Sequence, residues 1–476
     1  MSVDTDTRTK GIVVAGLRGG SGKSVVAVGL AAALTRRGRR VIPFKKGPDY
    51  IDAGWLHLVT GSPCFNLDPY LMSEEVIRHS YITRSAGGDI AVIEGNRGLY
   101  DGVNAAGAYS TAELAVLLNL PVLLVVDCTK STRTVAALVL GCKQLDSRVD
   151  IRGVVLNKIG SSRQEKVIRE AVREYTGIPV LGALRRMSED IFRQRHLGVL
   201  PFQEHDAPAA IGDRLAALIE ESCDLDEIES MARPVAAGPA SMDERALDPE
   251  EEAIAFGEPV WIGVLRDAAF QFYYPENLEA LENEGAELVE INALTATELP
   301  ELHGLYIGGG FPETSAAQLA ANISFLDSLR HAVAEGLPVY AECGGLIYLG
   351  ESILLDGESH ALAGIFPVRF GLEKKPQAHG YTVLRTENVN PYYEQGLEIK
   401  GHEFRYSRIL DWQGREEDLV FAMQRGVGFM GGRDGLVHNN VLALYTHVHA
   451  LATPEWAGRL VDRARGYRRR VEESGP

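Results

Sequence analysis

Between Gly11 and Gly38 the chain reads GIVVAG, LRGGSGK and then SVVAVGLAAALTRRG. A β-branched run, a glycine turn and a segment of helical spacing leave few folds open. A strand feeding a helix through a tight loop is the opening of a βαβ unit in a parallel sheet. The loop also has its own chemistry. Gly19, Gly20, Ser21 and Gly22 let backbone N–H groups converge on one concavity, and the start of the helix adds partial positive charge. Lys23 reaches the terminal phosphates of a bound nucleotide, and the Ser24 hydroxyl suits Mg²⁺. Such loops usually place about four residues between the first glycine and Gly-Lys; here Leu17 to Ser21 make five. The loop is read as a phosphate cradle for ATP.

The alternation continues through VIPF, DIAVIEG, PVLLVVD, IRGVVLNK and IPVLGAL, and it restarts later with PVWIGVLRD, AELVEIN, GLYIGGG, LPVYAEC and VLALYTH. The expectation is an α/β protein with two open, mostly parallel, doubly wound sheets. A chain of 476 residues has room for both cores. Between the two series, Glu220 to Glu258 holds thirteen carboxylates against Arg233 and Arg245, one aromatic residue and little apolar periodicity. It reads as an acidic linker. The expected division is a nucleotide domain at 1–219, a linker at 220–258 and a second domain at 259–476.

The formal charge of −17 supplies no surplus of cations for nucleic acid or an anionic membrane, so neither is expected as a partner. No apolar run is long enough to span a bilayer, and MSVDTDTRTKG lacks the apolar core of a signal peptide. Five cysteines at 64, 128, 142, 223 and 343 show neither disulfide nor metal spacing. The cytoplasm is the expected compartment, and a homodimer is left open.

A nucleotide site needs carboxylates for its metal. Glu94 closes the strand DIAVIEG at the carboxyl edge of the sheet, and Asp49 and Asp52 follow the second strand in KKGPDYID. Asn157, at the end of GVVLNK, stands where a base edge is read. Lys45, Lys46 and Arg97 cluster in the same regions, either as a solvated rim or as a grip on substrate carboxylates.

In the second half, LPVYAECGGLIYLG sets Cys343 on a strand-to-helix turn before Gly344 and Gly345. A thiol on such an elbow is presented to substrate, and nearby backbone N–H groups, including that of Gly344, can receive an oxyanion. VLALYTHVHALATPEW offers His447 and His449 as bases, and alternation points both the same way without choosing between them. YIGGGFPE, with Gly309, is a second glycine turn able to face the same intermediate.

Read together, AGLRGGSGKS, PFKKGPDYIDAGW, NLDPYLM, AVIEGNRGLYDG, YSTAELAVLL, GVVLNKIGS, RHLGVLP, RDAAFQFYYPENLEAL, YIGGGFPE, YAECGGLIYLG, KGHEFRYS and YTHVHALATP follow one family's order. The chain resembles the glutamine-hydrolysing cobyrinic acid a,c-diamide synthases along nearly its whole length. The resemblance implies a dethiobiotin synthetase-like ATPase domain followed by a class I glutamine amidotransferase domain. It assigns Cys343 as nucleophile and His447 as its base. It maps Lys23, Ser24, Asp49 and Glu94 onto phosphate and Mg²⁺ positions, and Asn157 onto the adenine-reading strand end. The implied reaction amidates the a and c acetates of a polycarboxylate tetrapyrrole, using ATP and glutamine. Relatives of the same layout act on sirohaem or nickel-sirohydrochlorin, which remain alternatives. Related amidotransferases carry Glu two residues after the base; here His449 stands there. Lys46, Arg97 and Arg405 depart from the common pattern toward extra positive charge and are read, with Lys45 and Asp52, as substrate contacts. RGGSGK also resembles the loop of partitioning ATPases, but Arg18 replaces their Lys, no basic or amphipathic tail is evident, and that reading leaves the second domain unexplained.

Overall fold

The computed structural model describes residues 9–187, 194–195, 198–235 and 258–474. The chain divides into two compact units, Met1–Asp243 and Glu244–Pro476.

In the first unit, β1 (Lys10–Gly16), β2 (Val41–Lys46), β3 (Phe65–Leu67), β4 (Ile90–Gly98), β5 (Val122–Asp127), β6 (Ile151–Ile159) and β7 (Val180–Arg185) lie in the order β3-β2-β4-β1-β5-β6-β7. All pairs within that order are parallel. Burial on both faces explains why the strands read as unbroken Val, Ile and Leu runs. Helix α1 (Lys23–Arg36) follows β1, and α2 (Ile51–Thr60) follows β2. Register sets Lys45 of β2 opposite Glu94 of β4, and Glu94 opposite Val14 of β1. The charged residues at these strand ends therefore meet beside the loop that leaves β1.

The linker reading fails for residues 220–235. A helix at Leu225–Met231 is capped by the Asp224 side chain, with Leu225 and Ile228 in the core of the first unit. Arg233 and Pro234 pair antiparallel with the start of β1. Asp226 and Glu229 meet Arg37 and Arg39 at the surface. The acid there is the solvated face of a short helix, whose few apolar positions are too sparse to register as periodicity. Residues 236–257 of the expected linker lie outside the described residues.

The second unit has a ten-stranded sheet. Its parallel half runs Ala286–Ile291, Val260–Leu265, Gly304–Ile307, Val339–Glu342 and Val441–Leu444. Arg433–His438, Leu419–Arg425, Ala378–Thr386, Glu398–Arg405 and His447–Val448 continue it antiparallel. The α/β class holds in both units. The antiparallel half was absent from the strand reading, and it is what brings the segment after Val441–Leu444 back beside His402. The closing helix Glu455–Ser474 is rich in arginine. It is part of the fold, with Trp456, Leu460 and Val461 in the core and Arg459 and Arg468 paired with Glu394 and Glu258. Among the described residues no helix is long and apolar enough to cross a membrane.

Candidate active sites

The loop between β1 and α1 is built as its residue types require. Gly22 caps α1 with φ +88°, and a Cβ there would come within 2.0 Å of the Asn157 amide nitrogen. Asn157 is buried and donates its Nδ2 to the Ser21 carbonyl at 2.9 Å, while its Oδ1 accepts from Lys158 N. Asn157, expected to read a base edge, also braces the phosphate loop through Ser21. Gly19 and Gly20 border open space. The Ser21 hydroxyl accepts from Arg18 N at 3.1 Å and closes the turn. The first-turn N–H groups of α1 have no helical acceptors, so the loop presents donors and positive potential to an anion.

Beside it lies a compact charge cluster. Lys23 Nζ is 2.5 Å from Glu94 Oε1, to which the Ser24 hydroxyl also donates at 2.8 Å. Lys45 Nζ stands 2.6 Å from Asp52 Oδ2 and 3.3 Å from Glu94 Oε1. Lys23 and Asp52 are 4.0 Å apart. Burial works against a charge on Lys45, yet Asp52 and Glu94 outweigh it and hold the ammonium protonated well above its ordinary range. Burial likewise opposes ionisation of Asp52, but Lys45 and Lys23 keep that carboxyl far below the usual range.

Asp49 does something else. Its Oδ1 accepts from Ile51 N at 2.8 Å and Asp52 N at 3.0 Å, which makes it a cap on α2, and burial together with Asp52 raises its pKa. Asp52 is a second acid facing the cluster, beside the Asp49 expected as a metal ligand, whose charge also acts on Lys45. Glu94 Oε2 is buried without a hydrogen-bond partner among the described residues. A bare carboxylate oxygen next to the Ser24 hydroxyl and Asp52 fits a hard cation that takes oxygen donors. Among the described residues no group of three or more His, Cys, Asp or Glu side chains is arranged for a metal; the fit is to a cation shared with phosphate oxygens. Lys46 is buried, and burial lowers its pKa against the pull of Asp68. Arg97 is exposed at the end of β4, with φ +51°.

In the second unit Cys343 sits between the strand Val339–Glu342 and the helix Gly344–Leu349, with φ +48° and ψ −95°. A side chain held in the left-handed region stores about 1–3 kcal/mol, which the surrounding contacts must supply. The glycines beside it are there for space. A Cβ on Gly344 would approach Gly310 N to 2.9 Å, and one on Gly309 would come within 2.3 Å of His447 Cε1. Both glycine turns named from the sequence thus converge on one thiol–imidazole pair.

His447 is 3% exposed and lies beside the Cys343 side chain. His447 Nδ1 lies 3.4 Å from Glu342 Oε2. Burial disfavours the imidazolium, but the hydrogen bond to Cys343 and the Glu342 carboxylate outweigh it, lifting the His447 pKa to about 10. His402 stacks on His447 with ring centroids 4.9 Å apart, and burial next to His447 pushes the His402 pKa well down. His449 faces elsewhere: its Nε2 is 3.7 Å from Glu276 Oε2, and its ring packs on Tyr274 at 4.4 Å. Asp434, with its pKa raised by burial to about 6, accepts from Tyr445 N and Thr446 N and shapes the turn that delivers His447.

Glu342, His402 and Asp434 were not singled out from the sequence. Glu342 and His402 stand within motifs that were quoted, YAECGG and KGHEFRYS; Asp434 carries no local signal. Arg405 is buried in the second unit, donates to Ser407 O at 2.6 Å and Gly428 O at 2.7 Å, and lies over the Tyr445 ring at 4.0 Å. These contacts make it a structural brace within the second unit. Arg405→Ala is expected to cost about 3 kcal/mol by stranding buried carbonyls. Chemical denaturation would show it as a lower midpoint; an unchanged midpoint would contradict this reading.

Residues 12–197 match the family model described as CobQ/CobB/MinD/ParA nucleotide binding domain, and residues 261–455 match the CobB/CobQ-like glutamine amidotransferase domain. The cobyrinate a,c-diamide synthase of Magnetococcus marinus is 40% identical over 466 residues, 98% of either chain. That of Archaeoglobus fulgidus is 38% identical over 454 residues, 95% of this chain and 97% of its own. Both domain matches fall on the two units that hold the phosphate loop and the thiol–imidazole pair, and the identity runs through both. With these relatives matching it nearly end to end, the chain belongs to the cobyrinate a,c-diamide synthase family.

Proposed function

We propose that this chain converts the a and c acetate carboxylates of cobyrinate to amides, using ATP and glutamine. The observation that carries the reading is the Cys343 elbow with its buried His447 partner, in a chain whose other unit holds the Lys23–Ser24–Glu94–Asp52 cluster. A carboxylate resists amidation because its oxygen is a poor leaving group. Phosphorylation of one oxygen by ATP gives an acyl phosphate and ADP, and the cradle at Gly19–Gly22 with Lys23 holds the transferring phosphoryl group. Mg²⁺, held by Ser24, Glu94 and Asp52, would neutralise charge on the phosphate oxygens. Lys45, fixed by Asp52 and Glu94, keeps those carboxylates oriented. Arg97, exposed beside the loop, and Lys46 are the cations left for substrate carboxylates.

In the second unit the Cys343 sulfur attacks the carboxamide carbon of glutamine, with Gly344 and Gly309 on the side where the oxyanion forms. The C–N bond breaks as His447 gives its proton to the leaving nitrogen, and ammonia departs. Water then cleaves the thioester to glutamate, with His447 taking the proton. Ammonia displaces phosphate from the acyl phosphate and completes the amide.

The test is to incubate the protein with glutamine, Mg-ATP and cobyrinate, and in parallel with sirohaem, and to weigh the products. Each carboxylate converted lowers the mass by about one dalton, as replacement of hydroxyl by amino through an acyl phosphate requires. Two such steps on cobyrinate are expected. Product from sirohaem alone would reassign the macrocycle, and product from neither would refute the reading.

A further inference from the structure

A histidine that relays protons to a thiol works in one ring orientation, and that orientation is set by whatever holds the nitrogen not used by the thiol. Three buried groups compete for this position around His447: His449, His402 and Glu342. His449 is engaged by Glu276, by Leu451 N at 3.2 Å and by the Tyr274 ring. His402 lies against His447 with the rings stacked, and an imidazole, neutral or protonated, carries no negative charge to pair with it.

Glu342 is fully buried, and among the described residues His447 is the one basic side chain within ion-pair distance of it. Its Oε1 accepts from Val448 N at 3.2 Å, next to His447 in the chain, and its Oε2 also accepts from the Tyr306 hydroxyl at 3.4 Å. The carboxylate is thus anchored to the backbone of the segment that carries the base. Along a regular strand, residues 342 and 343 would point to opposite faces. The positive φ of Cys343 breaks that alternation, so that one elbow supplies both partners of the same imidazole.

We propose that Glu342 is the positioning residue of the glutaminase, holding His447 by Nδ1 so that the other ring nitrogen serves the Cys343 thiol. This rests on the reading of Cys343 and His447 as the glutamine-hydrolysing pair. Glu342 takes the place that a Glu two residues beyond the base would fill, and His449 at that position belongs to a separate cluster with Glu276. The groups facing His447 are Cys343, Glu342 and His402, with Tyr306 behind Glu342.

The test compares wild type, Glu342→Gln, Glu342→Asp and Cys343→Ala for glutamine hydrolysis from neutral to alkaline pH, and for amidation of cobyrinate driven by glutamine or by ammonium salts. Glu342→Gln removes the charge that favours the imidazolium. The alkaline limb of the kcat profile is therefore expected to fall by about one pH unit. The kcat for hydrolysis is expected to drop about 100-fold with KM for glutamine nearly constant, and with it the ratio of glutamine-driven to ammonium-driven amidation. Glu342→Asp is expected to recover at least a tenth of wild-type kcat. Wild-type kcat and pH profile in Glu342→Gln, alongside an inactive Cys343→Ala, would overturn the role of Glu342 and leave the glutaminase standing. Hydrolysis surviving in Cys343→Ala would overturn the glutaminase and this proposal together. If Glu342→Gln also loses ammonium-driven amidation, the Asp variant decides: recovery with the wild-type alkaline limb supports the proposal, and no recovery overturns it.

Discussion

Cys343→Ala is expected to lower glutamine-driven amidation by about 10⁴-fold or more while ammonium-driven amidation continues. Among the described residues of the second unit, Cys343 alone combines a nucleophilic atom with an elbow, at φ +48° between a strand and a helix, against a histidine whose pKa is raised to about 10. The raised pKa favours a proton on that histidine, where it can serve the departing ammonia. The replacement is mild for the fold. Alanine carries the same Cβ, so the strain of the positive φ is unaltered, and only one buried sulfur is lost. The comparison of rates with glutamine and with ammonium separates chemistry from folding. A glutamine-driven rate within tenfold of wild type would contradict Cys343 as nucleophile.

Lys23→Ala is expected to remove both glutamine-driven and ammonium-driven amidation, by about 10³-fold. The cation lies at the base of the phosphate loop, 2.5 Å from Glu94, and it is the basic side chain of the cluster that belongs to the helix N-terminus itself. Its loss leaves the developing phosphoryl charge without that partner. Glu94 would retain Lys45 at 3.3 Å and the Ser24 hydroxyl at 2.8 Å, so the buried carboxylate stays paired and the sheet keeps its register. Glutamine hydrolysis measured on the same protein serves as the control for an intact second unit. Retention of ammonium-driven amidation at more than a tenth of wild type would place the phosphoryl chemistry elsewhere.

The two predictions rest on parts that local sequence described well. A β-branched run, a glycine turn and a helix at Gly11–Gly38 are sufficient for a phosphate loop, because backbone conformation and helix polarity are decided within a few residues. The Cys343 elbow was legible for the same reason: Gly344 and Gly345 beside a strand end have few other uses. The expected strands of the first unit fell into place because parallel strands buried on both faces must be apolar throughout.

What escaped the sequence depended on partners distant along the chain. Asp49 and Asp52 are both acids after β2, and composition does not tell the helix cap from the carboxylate that pairs with Lys45; the start of α2 makes that choice. Asn157 and Ser21 are far apart in sequence and meet only once β6 lies near β1 in the sheet. Arg405 looked like surplus charge for a substrate until the antiparallel half of the second sheet enclosed it against Tyr445. Glu342 stood in plain view before Cys343, yet its value comes from the curl that returns His447 beside His402. Motifs and strand runs are settled by interactions among neighbours in the chain, and these the sequence alone determined. The partner of each buried charge is settled by sheet order and register, where the cost of an unpaired ion in the interior selects among positions that local chemistry treats as equal.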